Sequence, residues 1–216
     1  LLVANEALRL AEQANYPKSL EYYFKSLAIS QEIGDAAGVA ICYSNIGIVY
    51  HSQNELEKSL EYYSKAVEID KEIGDDKGLA DTYINMGTIY DDRGNHNMAI
   101  QYYDDALKIE EKSGDKRAAS VCYKNIGAAY LSLNKHQTAL AYFNASLRTR
   151  EEIGDQYGIA STLNSIGNYY IESGDFKKSI PFFQKSKAIS KEIDAKMHMK
   201  NSYEYLSIAY DGLNDF

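Results

Sequence analysis

The sequence predicts an all-α protein built from repeated helix pairs. Aligned on itself at a shift of 40 residues, the chain superimposes residues 43–50, 83–90 and 123–130, which all read Tyr-x-Asn-x-Gly-x-x-Tyr. A second block, Ser-x3-Tyr at 19–23 and 59–63, recurs in the same register. A fixed period marks units that bury their apolar faces only against one another. With only two prolines in 216 residues, helices are favoured over strands.

The repeat predicts a single array over residues 1–216. We expect five helix pairs, at about 1–34, 35–74, 75–114, 115–154 and 155–194, and the first helix of a sixth repeat at about 195–212. Because the chain lacks an initial Met and stops inside that repeat, we expect a fragment of a longer protein.

Glycine and aspartate mark the predicted helix ends. Gly34, Gly74, Gly114 and Gly154 stand where a left-handed residue ends a second helix. Each is followed by an aspartate whose carboxylate can cap the next helix, namely Asp35, Asp75, Asp115 and Asp155.

Glycines inside the first helices predict close helix contacts. A glycine inside a helix lowers helix stability by about 1 kcal/mol relative to Ala. We therefore expect a neighbouring helix to approach too closely for a side chain at Gly47, Gly87, Gly127 and Gly167. Gly158 lies near a helix start, so we expect Gly127→Val to destabilise the protein far more than Gly158→Val. The paired tyrosines, such as 62–63 and 102–103, are interpreted as packing residues and not as a stacking site for a cofactor.

The repeat resembles a known family. The order aromatic-x2-Leu-Gly-x2-Tyr followed by Ala-x3-Phe is the tetratricopeptide pattern, matched here by Tyr43, Ile46, Gly47, Tyr50, Ser59, Tyr63 and Ala66. The resemblance implies a right-handed superhelix of antiparallel helix pairs that binds proteins on its concave face. Two departures are Tyr in place of Trp and a period of 40 residues, which a longer second helix explains. In detail the repeats resemble those of LGN-like adaptors and of bacterial signalling proteins.

The resemblance assigns the outward face of each first helix to a peptide groove. Core residues of these helices fall within an arc of about 100°, so the opposite face points away from the core. We expect the groove to carry Asn5, Asn45, Asn85, Asn125, Ser44, His51, Asp81, Asp91, Asp92, Lys124, Asn164 and Asn168.

One column of the groove repeats an amide. Asn5, Asn45, Asn85 and Asn125 are spaced by 40 residues. An amide both donates and accepts, so such a column can pair with the main chain of an extended peptide. In LGN-like adaptors the Asn of Tyr-x-Asn-Leu-Gly makes these contacts, and Asn45, Asn85 and Asn125 match that motif. The alternative is that these amides bond between neighbouring helices and set their stacking.

Charge narrows the choice of partner. The net charge of −8 and the pI near 5.1 argue against nucleic acid, which requires clustered cations. Asp81, Asp91 and Asp92 favour a neutral-to-basic peptide, whereas Lys124 is the one cation placed centrally in the groove. The alternative is that these acids are an ordinary solvated face. No apolar run approaches the length of a membrane span, so no membrane insertion is expected.

The sequence offers no catalytic motif. It contains no HExxH, CxxC or phosphate loop, and His96 and His136 lack the partners of a metal site. We therefore expect no enzyme, cofactor or metal, but a peptide-binding scaffold that forms the sensing or adaptor region of a larger regulatory protein. The alternative is a structural module that self-associates through its uncapped C-terminal end. A cytoplasmic location is preferred, and a periplasmic one follows if the chain belongs to a membrane sensor.

Overall fold

Every element that the structure describes is a helix. The structure, a computed structural model, describes residues 2–214, and within them it shows eleven α-helices and no strand, which confirms the all-α fold class. The helices are α1 Leu2–Glu12, α2 Tyr16–Glu32, α3 Ala36–Ser52, α4 Leu56–Ile73, α5 Asp76–Asp92, α6 His96–Ser113, α7 Lys116–Ser132, α8 His136–Glu152, α9 Gln156–Glu172, α10 Phe176–Glu192 and α11 Lys196–Asn214. Residue 1 and residues 215–216 lie outside the described residues.

The chain divides into two compact units, Leu1–Ile109 and Glu110–Phe216, named unit 1 and unit 2 below. In unit 1, α3 packs on α4 and contacts α5. In unit 2, α9 packs on α10 and contacts both α7 and α11, so three first helices are neighbours. The single array over residues 1–216 stays a prediction.

The predicted helix ends are confirmed. Gly34, Gly74, Gly114 and Gly154 have φ between 68 and 79°, and the aspartate after each accepts a hydrogen bond from a backbone N–H of the next helix. The sequence did not reveal that non-glycine residues take the same left-handed conformation at other helix ends. These are Ala14, Asn54, Asn134 and Asp194.

An aromatic ring occupies the surface that each interior glycine leaves open. A Cβ added at Gly47 would lie 2.7 Å from the ring of Tyr63, and one at Gly167 would lie 2.4 Å from Phe183. The hydroxyl of Ser59 also donates to the carbonyl oxygen of Gly47 at 2.7 Å. The predicted close approach is therefore confirmed, and the partner is the second aromatic of each pair.

The first aromatic of each pair packs between two tyrosines of the first helix. Tyr62 lies 6.0 Å from Tyr43 and 5.4 Å from Tyr50, measured between ring centroids. In unit 2, Tyr142 lies 6.3 Å from Tyr123 and 5.6 Å from Tyr130. The aromatic pairs thus serve packing, as the sequence indicated.

Gly158 is more crowded than its position near a helix start suggests, and the relative cost of the two valine substitutions stays a prediction. A Cβ at this position would lie 2.3 Å from Nη1 of Arg150 and 2.3 Å from a carboxylate oxygen of Asp155. The side chain of Arg150 is buried beneath the first turn of α9, so Gly158 is as crowded as Gly127. Sequence position near a helix start did not reveal this, because the crowding comes from the preceding second helix.

Candidate peptide-binding groove

A cleft of about 250 Å³ opens between the first helices of unit 2. Its walls are contributed by α7, α9 and α11, with Phe143 of α8 at the base. The residues that line it are Ala128, Leu131, Ser132, Phe143, Ser161, Asn164, Ser165, Asn168, Glu172, His198, Asn201 and Tyr205.

The cleft follows the face that the sequence assigns to a groove. Along α9 the lining residues Ser161, Ser165, Asn168 and Glu172 recur at intervals of three and four, which places them on one side of a helix. The opposite side of α9 carries Gly167, which packs against Phe183. Unit 2 therefore has an outward polar face on its first helices that is open to a ligand.

In unit 1, polar bonds join the corresponding faces of α3 and α5. The hydroxyls of Ser44 and Thr82 lie 3.2 Å apart, and Nε2 of His51 lies 2.8 Å from a carboxylate oxygen of Asp92. Asp91 is also engaged, at 2.6 Å from Nδ1 of His96. Three predicted groove residues thus form side-chain hydrogen bonds between α3 and α5: Ser44 bonds Thr82, and His51 bonds Asp92.

The amides of the column have no protein partner. Asn45, Asn85 and Asn125 are half-buried, Asn5 is exposed, and within residues 3–213 the side chains of these four make no hydrogen bond. The column has two interpretations, peptide binding and hydrogen bonding between neighbouring helices. No contact among the described residues supports the second one. The amides of Asn45 and Asn85 in unit 1, and that of Asn125 in unit 2, have donors and acceptors available to a ligand.

Asn164 and Asn168 differ from the column. Asn164 is only 6% exposed, accepts from the hydroxyl of Ser202 at 3.0 Å and donates to the carbonyl oxygen of His198 at 3.5 Å. Asn168 donates to Glu172 at 2.8 Å, one turn later on α9. Asn164 therefore links α9 to α11 through hydrogen bonds, and it also lines the cleft. This role departs from the expectation that it offers a free amide to a peptide.

Asp81 belongs to an acidic cluster of unit 1 that includes a buried carboxylate. Asp70, at 3% exposure, lies close to Asp75 and Asp81. Burial is the main cause, and the two neighbouring carboxylates the secondary cause, of the rise in the pKa of Asp70 to about 6. Asp70 was missed because an acidic residue within a helix gives no sign of burial in the sequence.

Unit 2 holds basic residues around Lys124 that sequence reasoning also missed. Arg150 is 4% exposed, and His198 lines the cleft. Burial lowers the pKa of Lys124, and the nearby guanidinium of Arg150 lowers it further. A usable signal was the period itself, because Ser30, Asp70, Glu110, Arg150 and Ser190 stand 40 residues apart and are all buried.

Residues 2–214 show neither a metal site nor a membrane-spanning helix. No three His, Cys, Asp or Glu side chains of that part come together in a way that would hold a metal ion. None of its helices combines the length and apolarity needed to cross a bilayer. Cys42 and Cys122 are both buried.

Solved structures similar to this chain share its fold at low identity. Aspartyl phosphate phosphatase F from Bacillus subtilis is 17% identical with a TM-score of 0.87, over 99% of this chain and 56% of that protein. A Rap protein complexed with Competence and Sporulation Factor is 16% identical with a TM-score of 0.81, over 99% of this chain and 63% of that one.

A third similar structure is a signal transduction ATPase with numerous domains from Pyrococcus horikoshii, described as having a tetratricopeptide repeat sensor. It is 18% identical with a TM-score of 0.82, over 96% of this chain and 32% of that one. This chain thus spans less than two thirds of each of these three proteins. No curated protein matches the chain.

Family models give the classification. The tetratricopeptide repeat model matches residues 4–72 and 73–152, and a second model of the same description matches residues 160–192. These ranges cover most of the chain and include every interior copy of the Tyr-x-Asn-x-Gly-x-x-Tyr segment. The chain belongs to the tetratricopeptide repeat family.

Proposed function

We propose that the chain is a non-catalytic scaffold that binds an extended peptide along the outward faces of its first helices. The observation that carries the proposal is the set of unpaired amides on these faces, together with the open cleft of unit 2. An extended peptide has unpaired N–H and C=O groups, and a protein amide can satisfy one of each. The proposed role is the sensing or adaptor region of a larger regulatory protein.

Two of the similar structures support this placement by their descriptions. One contains a bound Competence and Sporulation Factor, and the other is described as carrying its tetratricopeptide repeats as a sensor. For unit 1 we propose a neutral-to-basic segment, because the acidic cluster around Asp70 and Asp81 would attract cationic side chains. Asp91 and Asp92 each contact a histidine, so each already has a hydrogen-bond partner within the protein.

A matched pair of substitutions tests the amides. The double variant Asn45→Ala/Asn85→Ala removes two amides without protein partners, and Asn164→Ala removes one that joins α9 to α11. We expect the double variant to weaken binding of the best peptide from an array of short unstructured peptides about tenfold, at about 0.5–1.5 kcal/mol for each lost bond. Its melting temperature should stay near that of the parent.

The control should behave in the opposite way. Asn164→Ala leaves the hydroxyl of Ser202 without one acceptor, so it should lower the melting temperature. Fluorescence anisotropy gives the peptide affinities and circular dichroism gives the melting curves. Unchanged peptide affinity in the double variant, with a collapsed melting temperature, would make the amides structural and refute the proposal.

A second candidate is self-association through α11. Met197, Tyr203 and Ile208 are between 48 and 64% exposed on this last helix, more apolar surface than a solvated helix requires. The double variant Tyr203→Lys/Ile208→Lys should abolish any concentration-dependent rise in mass seen by light scattering. A parent chain that stays monomeric at high concentration excludes this candidate.

A further inference from the structure

His198, which lines the unit 2 cleft, has a buried ring nitrogen without a partner among the described residues. This nitrogen is Nε2 of the imidazole. The ring of Tyr157 packs against the imidazole at 4.2 Å between centroids, which holds the ring in place. Leaving a buried polar group unpaired is unfavourable, so native structures rarely do so without a ligand or function.

Lys124 lies on the cleft side of α7 without a counterion. It precedes Ala128 by one turn of α7, and Ala128 lines the cleft, so both residues share the cleft side of the helix. The described residues provide no carboxylate within salt-bridge distance of its ammonium group. The charges of Lys124 and Arg150 also contribute, after burial, to the lowered pKa of His198.

Arg150 adds a second positive group, and the carboxylate of Asp155 interacts with it. Nε of Arg150 donates a hydrogen bond to the hydroxyl of Ser120 at 3.1 Å. The carboxylate of Asp155 attracts the guanidinium of Arg150 electrostatically. Asp155 is shared, because it also pairs with Arg117 at 3.2 Å and accepts from the backbone N–H of Gly158. Asp155 therefore serves both Arg117 and Arg150, while Lys124 forms no ion pair with a described residue.

The only acid lining the described cleft is Glu172. It lies three turns after Ser161 on α9 and accepts from Asn168. It therefore leaves the positive charge near His198 uncompensated. A buried excess of positive charge favours an anion, and a carboxylate gains shorter and stronger hydrogen bonds from cationic donors than from neutral ones.

We infer that the part of the cleft beside His198 is a carboxylate-binding site. Nζ of Lys124 and Nε2 of His198 donate to the two oxygens of the carboxylate, and the buried guanidinium of Arg150 supplies attraction from the second helix. The site depends on the proposed peptide-binding function only for the source of the carboxylate. That source is an acidic side chain of a bound peptide or a free carboxylic acid, and the two share this recognition chemistry.

The first experiment uses glutarate as the probe on the whole chain. Nuclear magnetic resonance signals of the His198 ring are followed during titration at constant ionic strength. We expect a saturable shift and a raised pKa of His198, because the bound anion favours the charged imidazole. Affinity should fall about tenfold in Lys124→Met and stay unchanged in Lys116→Met. Lys116 is exposed on the same helix and bonds Glu152, so its substitution makes the same change in net charge.

Three results overturn the site: no saturable shift, no rise in the pKa of His198, or equal losses of glutarate affinity in the two lysine variants.

A second experiment compares two peptides that differ only by Glu or Gln at one position. A preference for the Glu peptide of about tenfold, lost in Lys124→Met, identifies a peptide carboxylate. If glutarate binds and neither peptide does, the site stands for a free acid and the proposed peptide function fails. If both peptides bind equally and glutarate does not, the peptide function stands and the site is refuted.

Discussion

One position of the repeat holds buried side chains of opposite charge: it is acidic at Asp70 of unit 1 and at Glu110, where unit 2 begins, and basic at Arg150 of unit 2. Asp70 of unit 1 is 3% exposed, and Arg150 of unit 2, two periods later, is 4% exposed. The same position holds buried serines at Ser30 and Ser190. The fold thus makes this position an interior one, whereas the chemistry of its side chain differs from repeat to repeat.

The surroundings of Asp70 and Arg150 determine how much free energy it takes to bury each charged side chain. Arg150 has a hydroxyl partner in Ser120 and the carboxylate of Asp155 nearby. Asp70 instead faces two further carboxylates, Asp75 and Asp81, and its pKa is raised to about 6. A buried charge is tolerated when its neighbours compensate it and is penalised when they do not. The two buried charges therefore differ in how far their neighbours offset them.

The largest expected effect separates two capping aspartates. Asp35 caps α3 from an exposed position, while Asp155 caps α9 and also balances Arg117 and Arg150. Asp35→Ala should cost about 1 kcal/mol of unfolding free energy, the usual value for a lost cap. Asp155→Ala should cost about 3 kcal/mol, because it also leaves a buried guanidinium without its acid. Urea denaturation measures both, and equal losses would contradict the difference between the units.

The next effect is a gain in stability that depends on pH. In the folded protein Asp70 has a pKa of about 6, against an ordinary value of 3.8, so folding takes up a proton between these two pH values. Stability contributed by this group is therefore present below pH 4 and is lost as pH rises to 6. Asp70→Asn should remove the loss and stabilise the protein at pH 7 by up to about 3 kcal/mol.

Glu68 provides the control for this prediction, since it is exposed on the same helix. Glu68→Gln should leave both the unfolding free energy and its change between pH 4 and pH 7 close to those of the parent. Urea denaturation at the two pH values gives the comparison. An Asp70→Asn variant that is less stable than the parent at pH 7 would show that the carboxylate has a stabilising partner.

The smallest effect tests a feature that the units share. Gly47 of unit 1 and Gly167 of unit 2 both pack against an aromatic ring. Gly→Ala at either position should cost about 1–2 kcal/mol, since overpacking outweighs the gain in helix propensity. Ser165→Ala, on an open face of α9, should change stability little. Thermal denaturation of the three variants checks this, and a stabilised glycine variant would show that the ring moves aside without cost.

The features predicted well from the sequence were those that depend on local backbone and packing requirements. The period of 40 residues, the Gly-Asp helix junctions and the interior glycines each follow from a backbone or packing requirement that few residues satisfy. Positive φ at Ala14 and Asp194 escaped prediction, because tertiary packing there imposes a conformation that the residue itself does not favour.

The candidate site was predicted less completely. Asn45 and Asn164 both read as polar residues on the outward face of a first helix, yet one amide is unpaired and the other is buried between α9 and α11. Which of the two roles an amide takes depends on the neighbouring helix, and Ser202 and His198 are nearly forty residues from Asn164 in the chain. Single positions of a helix cannot encode such a distant partner.

The sequence by itself determined the fold class, the family and the face that each first helix turns outward, because a repeated pattern of 3.6-residue periodicity leaves one way to bury its apolar side. Only the tertiary structure decided which charges are buried. Asp70, Arg150 and His198 are ordinary polar residues in the chain, and they acquire their unusual electrostatics from helices that meet over them. Desolvation and Coulomb interactions depend on distances in space, and these are fixed when the helices pack.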